Sequence, residues 1–354
     1  MNKYYGRIFA IVSLLTIITL ASACKDIPVI QSSDGISSQP DASTSSIGSD
    51  PIDSSEAASD DKDVIVTFKD PAIEYSVRSL LLREKGDIRL SDLENIESIF
   101  IGGAESLDDL INFPALKVLD LENNMQYDPN FNTFTDIFIL SDLNQLEELN
   151  LSGNSQITDF SPISKLVNLR SLDLFSCDIT DIGFLTELKN IQELSLSNIE
   201  IENLNVLSAL TSLEILYLTE SDLLDASVLG ELINIRELWI PNNKIDNIDF
   251  VCRLTFLQKL IISENKISDI SCLKNLHDLA TLYADDNMIT DLSSLEELTN
   301  LRFLSLCRNS ITDLNPIRNM NQMVVLYLDG NQITDYSPTK GYYDSLIDKD
   351  FTID

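Results

Sequence analysis

A lattice of leucines recurs along this chain at constant pitch, and no other feature restricts its fold so strongly. One copy places Leu276, Leu279, Leu282, Ala284, Asn287, Ile289, Asp291 and Leu292; the next places Leu298, Leu301, Leu304, Leu306, Asn309, Ile311, Asp313 and Leu314. The asparagine-type position can be followed through eleven copies, at Ala104, Asn124, Asn154, Cys177, Ile199, Ser221, Asn243, Asn265, Asn287, Asn309 and Asn331. From Cys177 onward the interval is 22 residues throughout. A single copy is too short to bury its own aliphatic face, so copies must stack and cover one another.

This pattern resembles the leucine-rich-repeat signature. The resemblance implies an α/β solenoid, a curved horseshoe whose concave face is a parallel sheet. About eleven repeats are expected over residues 90–338. Each x-L-x-L-x run forms a short strand with leucines pointing inward and the intervening residues on the concave side. The asparagine side chain suits a ladder of bonds to backbone groups where the chain leaves the strand. The aspartate four residues later (Asp269, Asp291, Asp313, Asp335) suits an Asx turn opening the convex segment; calcium ligation is the alternative for these acids.

Both ends of such a stack need covers. Residues 64–89 supply an N-terminal helical cap, with a strand expected at Val64–Phe68. Asp70 is the expected N-cap, Pro71 the first helical residue and Gly86 the terminator after Arg83 and Lys85. Ile73, Val77, Leu80 and Leu81 fall on one helical face. Residues 339–354 are the expected C-terminal cap.

Ahead of the repeats the chain reads as exported. Lys3 and Arg7 precede an apolar run, Ile8–Leu20, too short to span a bilayer, and Ala21-Ser22-Ala23 lead into Cys24. Leu20 to Cys24 resembles a bacterial lipoprotein signal, which implies residues 1–23 as signal peptide and Cys24 as the lipidated residue. The same Ala-x-Ala also suits ordinary secretion. The 39 residues that follow Cys24 contain 11 Ser, nine acids and no aromatic, a composition that gives a disordered tether over residues 24–63. The expected location is extracytoplasmic, on a bacterial cell surface, membrane contact being through the lipid alone. A formal charge of -33 argues against nucleic acid and favours a partner with basic surface.

The 22-residue period and the Asn-x-Ile-x-Asp-Ile run are similar to the internalins, bacterial surface proteins that bind host receptors with the concave face. The similarity covers about residues 88–338, in structural residues rather than binding ones. Internalins carry an immunoglobulin-like module after the repeats and many are anchored to the wall. This sequence instead closes 23 residues past Asn331, with its anchor expected at the other end.

Repeat register places a central concave column at Phe100, Asp120, Asn150, Asp173, Ser195, Tyr217, Trp239, Ile261, Tyr283, Ser305 and Tyr327. Its second half is aromatic-rich, and flanking columns add Phe175, Ile215, Phe303 and Val325. The expected partner-binding residues are Phe175, Tyr217, Trp239, Ile261, Tyr283, Phe303 and Tyr327, all standing in solvent as interface anchors. The plainer alternative is that the aromatics only brace the sheet. Glu193, Glu237 and Asp329 at the edges, Lys259 excepted, agree with a basic partner. An insertion of about eight residues follows Asn124 and carries Tyr127, Phe131 and Phe134, either as a binding loop or as a self-packed one.

No catalytic constellation is legible. His277, the single histidine, falls on the convex surface, and the chain has neither Walker loop, dinucleotide fingerprint nor metal-type cysteine spacing. Catalytic residues, metal ligands and cofactors are therefore expected to be absent. Cys177 takes a ladder position, Cys307 is expected at the concave edge as a thiol, and Cys252 and Cys272 lie two positions out of register, so that a disulfide between them stays open. The function expected is a monomeric surface scaffold for a protein partner, adhesin-like. A structural envelope protein without a discrete partner and a hydrolase are the other two readings.

Overall fold

The computed structural model describes residues 63–123 and 131–353. The signal segment, Cys24, the tether up to residue 62 and Tyr127 lie outside the described residues. From Val64 the chain forms one unit whose core is an uninterrupted stack of leucine and isoleucine side chains.

Twelve parallel strands lie side by side in chain order in one open sheet. They are β1 (Ser98–Phe100), β2 (Val118–Asp120), β3 (Glu148–Asn150), β4 (Ser171–Asp173), β5 (Glu193–Ser195) and β6 (Ile215–Tyr217). The rest are β7 (Glu237–Trp239), β8 (Lys259–Ile261), β9 (Thr281–Tyr283), β10 (Phe303–Ser305), β11 (Val325–Tyr327) and β12 (Asp348–Lys349). Each middle leucine stacks on the next in perfect register, Leu216 on Leu238 and Leu238 on Leu260. The helical part of each coil is a 3-10 turn of three to six residues. A 22-residue period leaves too few residues between strands for a longer return helix.

Each convex turn opens as expected on an Asx motif. The Asp269, Asp291, Asp313 and Asp335 carboxylates each accept the amide two residues on, at 2.8 Å. The asparagine ladder forms as well. Asn265 donates to the carbonyls of Ile240 (3.0 Å) and Ile262 (3.1 Å) and accepts from the Ile245 amide (3.1 Å), so one side chain ties two coils. The residue before the ladder position takes the left-handed conformation in every coil from Ser176 to Arg308, and Gly153 and Gly330 do so at either end. Where the ladder residue is Cys177 or Ser221, its side chain still reaches the carbonyl of Leu151 or Leu196.

The insertion shifts one rung. Asn132 takes a ladder place in its coil: it donates to Leu121 O (2.8 Å) and accepts from Ala104 N (3.0 Å), while Asn124, expected at the rung, lies outside the described residues. Asn132 precedes the next rung, Asn154, by the ordinary 22 residues, so the extra residues enter between the strand and Asn132. Phe134 is buried and Phe131 exposed, so the end of the insertion packs onto the stack.

The N-terminal cap departs from expectation in three places. Helix α1 runs Pro71–Leu81 and stops at Leu82, which adopts φ 51° and returns its amide to Ser79 O, so Gly86 lies beyond the end. Leu80 is exposed; Ile73 and Val77 carry the packing. Val64–Phe68 makes a single antiparallel bridge, Ile65 to Arg89, because the segment it pairs with turns at once into helix α2 (Leu90–Leu93). Asp70 does more than cap: one oxygen accepts Ala72 N and the other accepts Glu105 N (2.7 Å) and Ser106 N (2.8 Å), docking the helix on the first coil.

At the other end β12 adds to the sheet, and Phe351 stacks on Tyr336 at 4.9 Å. The Asp350 carboxylate accepts the Leu328 and Asp329 amides, giving the edge donors of the last coil a partner. On the convex side Cys252 and Cys272 form a disulfide across consecutive coils, their Cα atoms 4.7 Å apart. The two-position offset that left this pair open is absorbed by the 3-10 turns, which carry one cysteine near the end of its turn and the other near the start of the next.

Candidate functional site

The eleven central residues, Phe100 to Tyr327, stand in register as the repeat period requires. Their exposure differs from expectation. Trp239 is only 3% exposed and Ile261 1%. Neighbouring strands lie about 4.8 Å apart, so large side chains in one column cover each other. The Tyr217 ring lies 5.5 Å from Trp239, and the Lys259 ammonium sits 5.3 Å from the indole centre, held by Glu237 at 2.7 Å. The two residues are the floor of the face. Tyr217, Tyr283, Phe303 and Tyr327 are half-buried, whereas Phe175, 42% exposed, stands clear, as does Phe100 at the start of the column, 54% exposed. Tyr327 donates its hydroxyl to Asp348 at 2.6 Å.

The indole N–H of Trp239 has no hydrogen-bond partner although it is buried, and neither does the hydroxyl of Ser171 three strands away. A buried donor without an acceptor costs about 1–3 kcal/mol, so both are exceptions for a stack this well paired.

The first half of the face is acidic, and its carboxylates extend beyond the Glu193 edge expected to meet a basic partner. Asp120, Glu148, Asp173 and Glu193 occupy concave positions on β2 to β5, half-buried. Asp120 and Asp173 each hold the amide two residues on, Glu122 N at 3.0 Å and Phe175 N at 2.8 Å. Burial, aided by neighbouring carboxylates, pushes Asp120 and Asp173 up to about 6 and Glu193 up to about 7. Glu148 is raised for the same reasons. Burial also raises Tyr217, aided by the neighbouring Glu193 carboxylate. The register column already contained Asp120 and Asp173; what it lacked was the flanking column, where Glu148, Ser171 and Glu193 follow in consecutive coils.

Cys307 is fully buried instead of lying at an open edge, because the C-terminal cap covers it; its sulfur is 3.4 Å from an Asp350 oxygen. Cys177 is also buried, and burial pushes its thiol up to about 12. Asp285 is buried beneath the Ser305 hydroxyl and the Cys307 amide, both at 2.6 Å. His277 is exposed. Among the described residues no group of three or more His, Cys, Asp or Glu is arranged to hold a metal, and no helix is long and apolar enough to cross a membrane.

The model of paired leucine-rich repeats matches residues 167–209, 255–297 and 299–339. Among solved structures, an internalin, inlF, from Listeria monocytogenes is 24% identical with a TM-score of 0.65, over 81% of this chain and 96% of that one. The functional domain of InlJ from the same bacterium is 15% identical with a TM-score of 0.59, over 80% and 69%. The plant peptide hormone receptor RGFR1, in complex with RGF2, is 20% identical with a TM-score of 0.52, over 64% of this chain and 38% of that one. At these identities the likeness establishes the fold: a leucine-rich-repeat solenoid of internalin-like architecture, an α/β horseshoe with the sheet along its inner wall.

Proposed function

We propose that this protein is a surface-displayed binding scaffold that seats a protein partner on the concave sheet, without catalysis and without a cofactor. The observation that carries the reading is the aromatic-rich second half of the concave column, Tyr217 to Tyr327 with Ile261 and Ser305 between, five strand steps or roughly 24 Å long, on a hydrogen-bonded wall. Tyr217, Tyr283, Phe303, Tyr327 and Phe175 are the contact residues, with Trp239 and Ile261 beneath them as support. Rigid aromatics lose little entropy on binding and serve as anchors. Among similarly folded structures, the RGFR1 receptor was solved with RGF2 bound.

The partner is a protein with basic surface, not a nucleic acid: the formal charge of -33 repels phosphate. Display rests on the Cys24 lipid, with residues 24–63 as tether. The Cys252–Cys272 disulfide agrees with an oxidising compartment outside the cytoplasm.

The test is capture from a surface-protein extract by the wild-type protein and by a Phe175→Ser/Tyr283→Ser/Phe303→Ser variant, which leaves the Tyr217–Trp239 pair intact. Loss of a specific captured protein in the variant is the expected result, and equal capture by both sinks the concave reading. Membrane retention of Cys24→Ala protein would sink the anchor separately.

A further inference from the structure

We propose that the first half of the concave face receives an arginine side chain from an extended basic segment of the partner, held by Asp173 and Glu193 over the Ser171 hydroxyl. This rests on the concave-face reading and gives it a ligand chemistry and a place.

Ser171 lies in register between Glu148 on β3 and Glu193 on β5, and Asp173 follows two residues later on the same face of β4. The concave positions of β2 to β6 hold no Lys or Arg among the described residues. Cations are nevertheless close at hand. Lys117 pairs with Glu97 at 2.7 Å, Arg170 with Glu147 at 3.5 Å and Arg236 with Glu214 at 3.2 Å, all in the row beside the concave columns. The fold neutralises those acids and, among the described residues, gives Asp173 and Glu193 no salt bridge.

A second, independent observation points to a ligand. The Ser171 hydroxyl is buried and unpartnered in the middle of this cluster. A guanidinium presents five donors in a planar fork that matches carboxylates on adjacent strands, and one donor remains for a hydroxyl oxygen. Phe175, exposed in the turn two residues past the end of β4, offers its ring to the cation. The groups facing the pair are Asp120 and Glu122 on the β2 side, Glu148, Tyr217 and Glu237, the last already held by Lys259. Burial raises both Asp173 and Glu193, with Glu122 adding to the first and Asp173 to the second, a cost that an incoming cation would offset.

The experiment titrates full-length protein at pH 8 with a blocked Gly-Arg-Gly-Arg-Gly peptide and with its citrulline counterpart, equal in shape and uncharged. Wild-type protein is expected to prefer the arginine peptide at least tenfold. An Asp173→Asn/Glu193→Gln variant should lose that preference, whereas Asp278→Asn/Glu297→Gln, which removes the same charge from exposed positions away from the sheet, should keep it. Ser171→Leu retains both carboxylates, blocks the floor and should lose it too. No preference in wild type, or equal loss in the exposed control, overturns the proposal. Overturned in this way while the aromatic variant still loses its captured protein, the arginine site falls alone and the concave reading stands.

Discussion

The carbonyl of Leu121 accepts from two asparagines of successive coils, Asn132 at 2.8 Å and Asn154 at 2.9 Å. The two are 22 residues apart, so the repeat resumes its ordinary pitch at the far end of the insertion. Asn132 also accepts the Ala104 amide, and its own amide and carbonyl bond the Asn123 side chain. Replacing it strands buried backbone groups in two coils. Asn132→Ala is expected to destabilise the protein by about 2–4 kcal/mol in urea unfolding. Loss below about 1 kcal/mol would show that the rung lies elsewhere.

The same relationship makes the insertion removable. Deleting residues 124–131 joins Leu121-Glu122-Asn123 directly to Asn132, which restores the spacing of the other coils. Shortening a connection by about eight residues changes closure entropy by about 1 kcal/mol or less. The deleted protein should therefore unfold cooperatively within about that margin of wild type, whereas a broad or early transition would mean that the insertion supports the stack.

The solenoid was legible because its signal is redundant: a wrong residue in one coil, such as Ile199 or Cys177, does not hide the period in the others. Positions within a coil were legible for the same reason, down to the register of Tyr217 beside Trp239. Exposure was not. Whether Trp239 stands in water depends on the sizes of Tyr217, Ile261 and Lys259 on adjacent strands, a cross-coil sum that no single repeat displays. The disulfide and the shifted rung were hidden by local irregularities, an offset turn in one case and an insertion in the other. Asp120, Asp173 and Glu193 were legible from repeat register, but their clustering with Glu148 around Ser171 shows only once adjacent strands are aligned.

Two sets of carboxylates pull stability in opposite directions with pH. Asp120, Asp173 and Glu193 are raised in the folded chain to about 6, 6 and 7. Folded protein then binds more protons than unfolded protein between about pH 4 and 7, so their contribution is full at low pH and lost as pH rises through 6 to 7. The Asx-turn acids Asp159, Asp225, Asp269 and Asp335 are lowered by the amides and hydroxyls they hold. Their contribution is present above about pH 4 and lost as pH falls further. Thermal melts should show maximal stability near pH 5 and a Tm lower by a few degrees at pH 8. A Tm that rises from pH 5 to 8 would contradict this, and Asp173→Asn/Glu193→Gln should flatten the decline.

The Cys252–Cys272 bond closes a loop of 20 residues between adjacent coils. Constraining a loop of this length in the unfolded chain is worth about 3 kcal/mol. Cys252→Ser/Cys272→Ser is expected to lower stability by about 2–4 kcal/mol, and reductant should destabilise wild type by the same amount while leaving the variant unchanged. Equal sensitivity of both proteins to reductant would exclude the bond as its source, since Cys177 and Cys307 remain in each.

Trp239 separates the floor of the face from its contacts. Its indole fills space between Tyr217 and the Lys259 stem, but the ring N–H bonds nothing. Trp239→Ala opens a large void and should cost about 3–5 kcal/mol. Trp239→Phe removes the stranded donor and keeps a ring, so the gain from losing an unpaired polar group offsets much of the lost contact. Its stability by circular dichroism melts is expected within about 1 kcal/mol of wild type. If the phenylalanine variant instead falls as far as the alanine one, the N–H is held by a partner such as ordered water, and Trp239 belongs to a polar network rather than to an apolar floor.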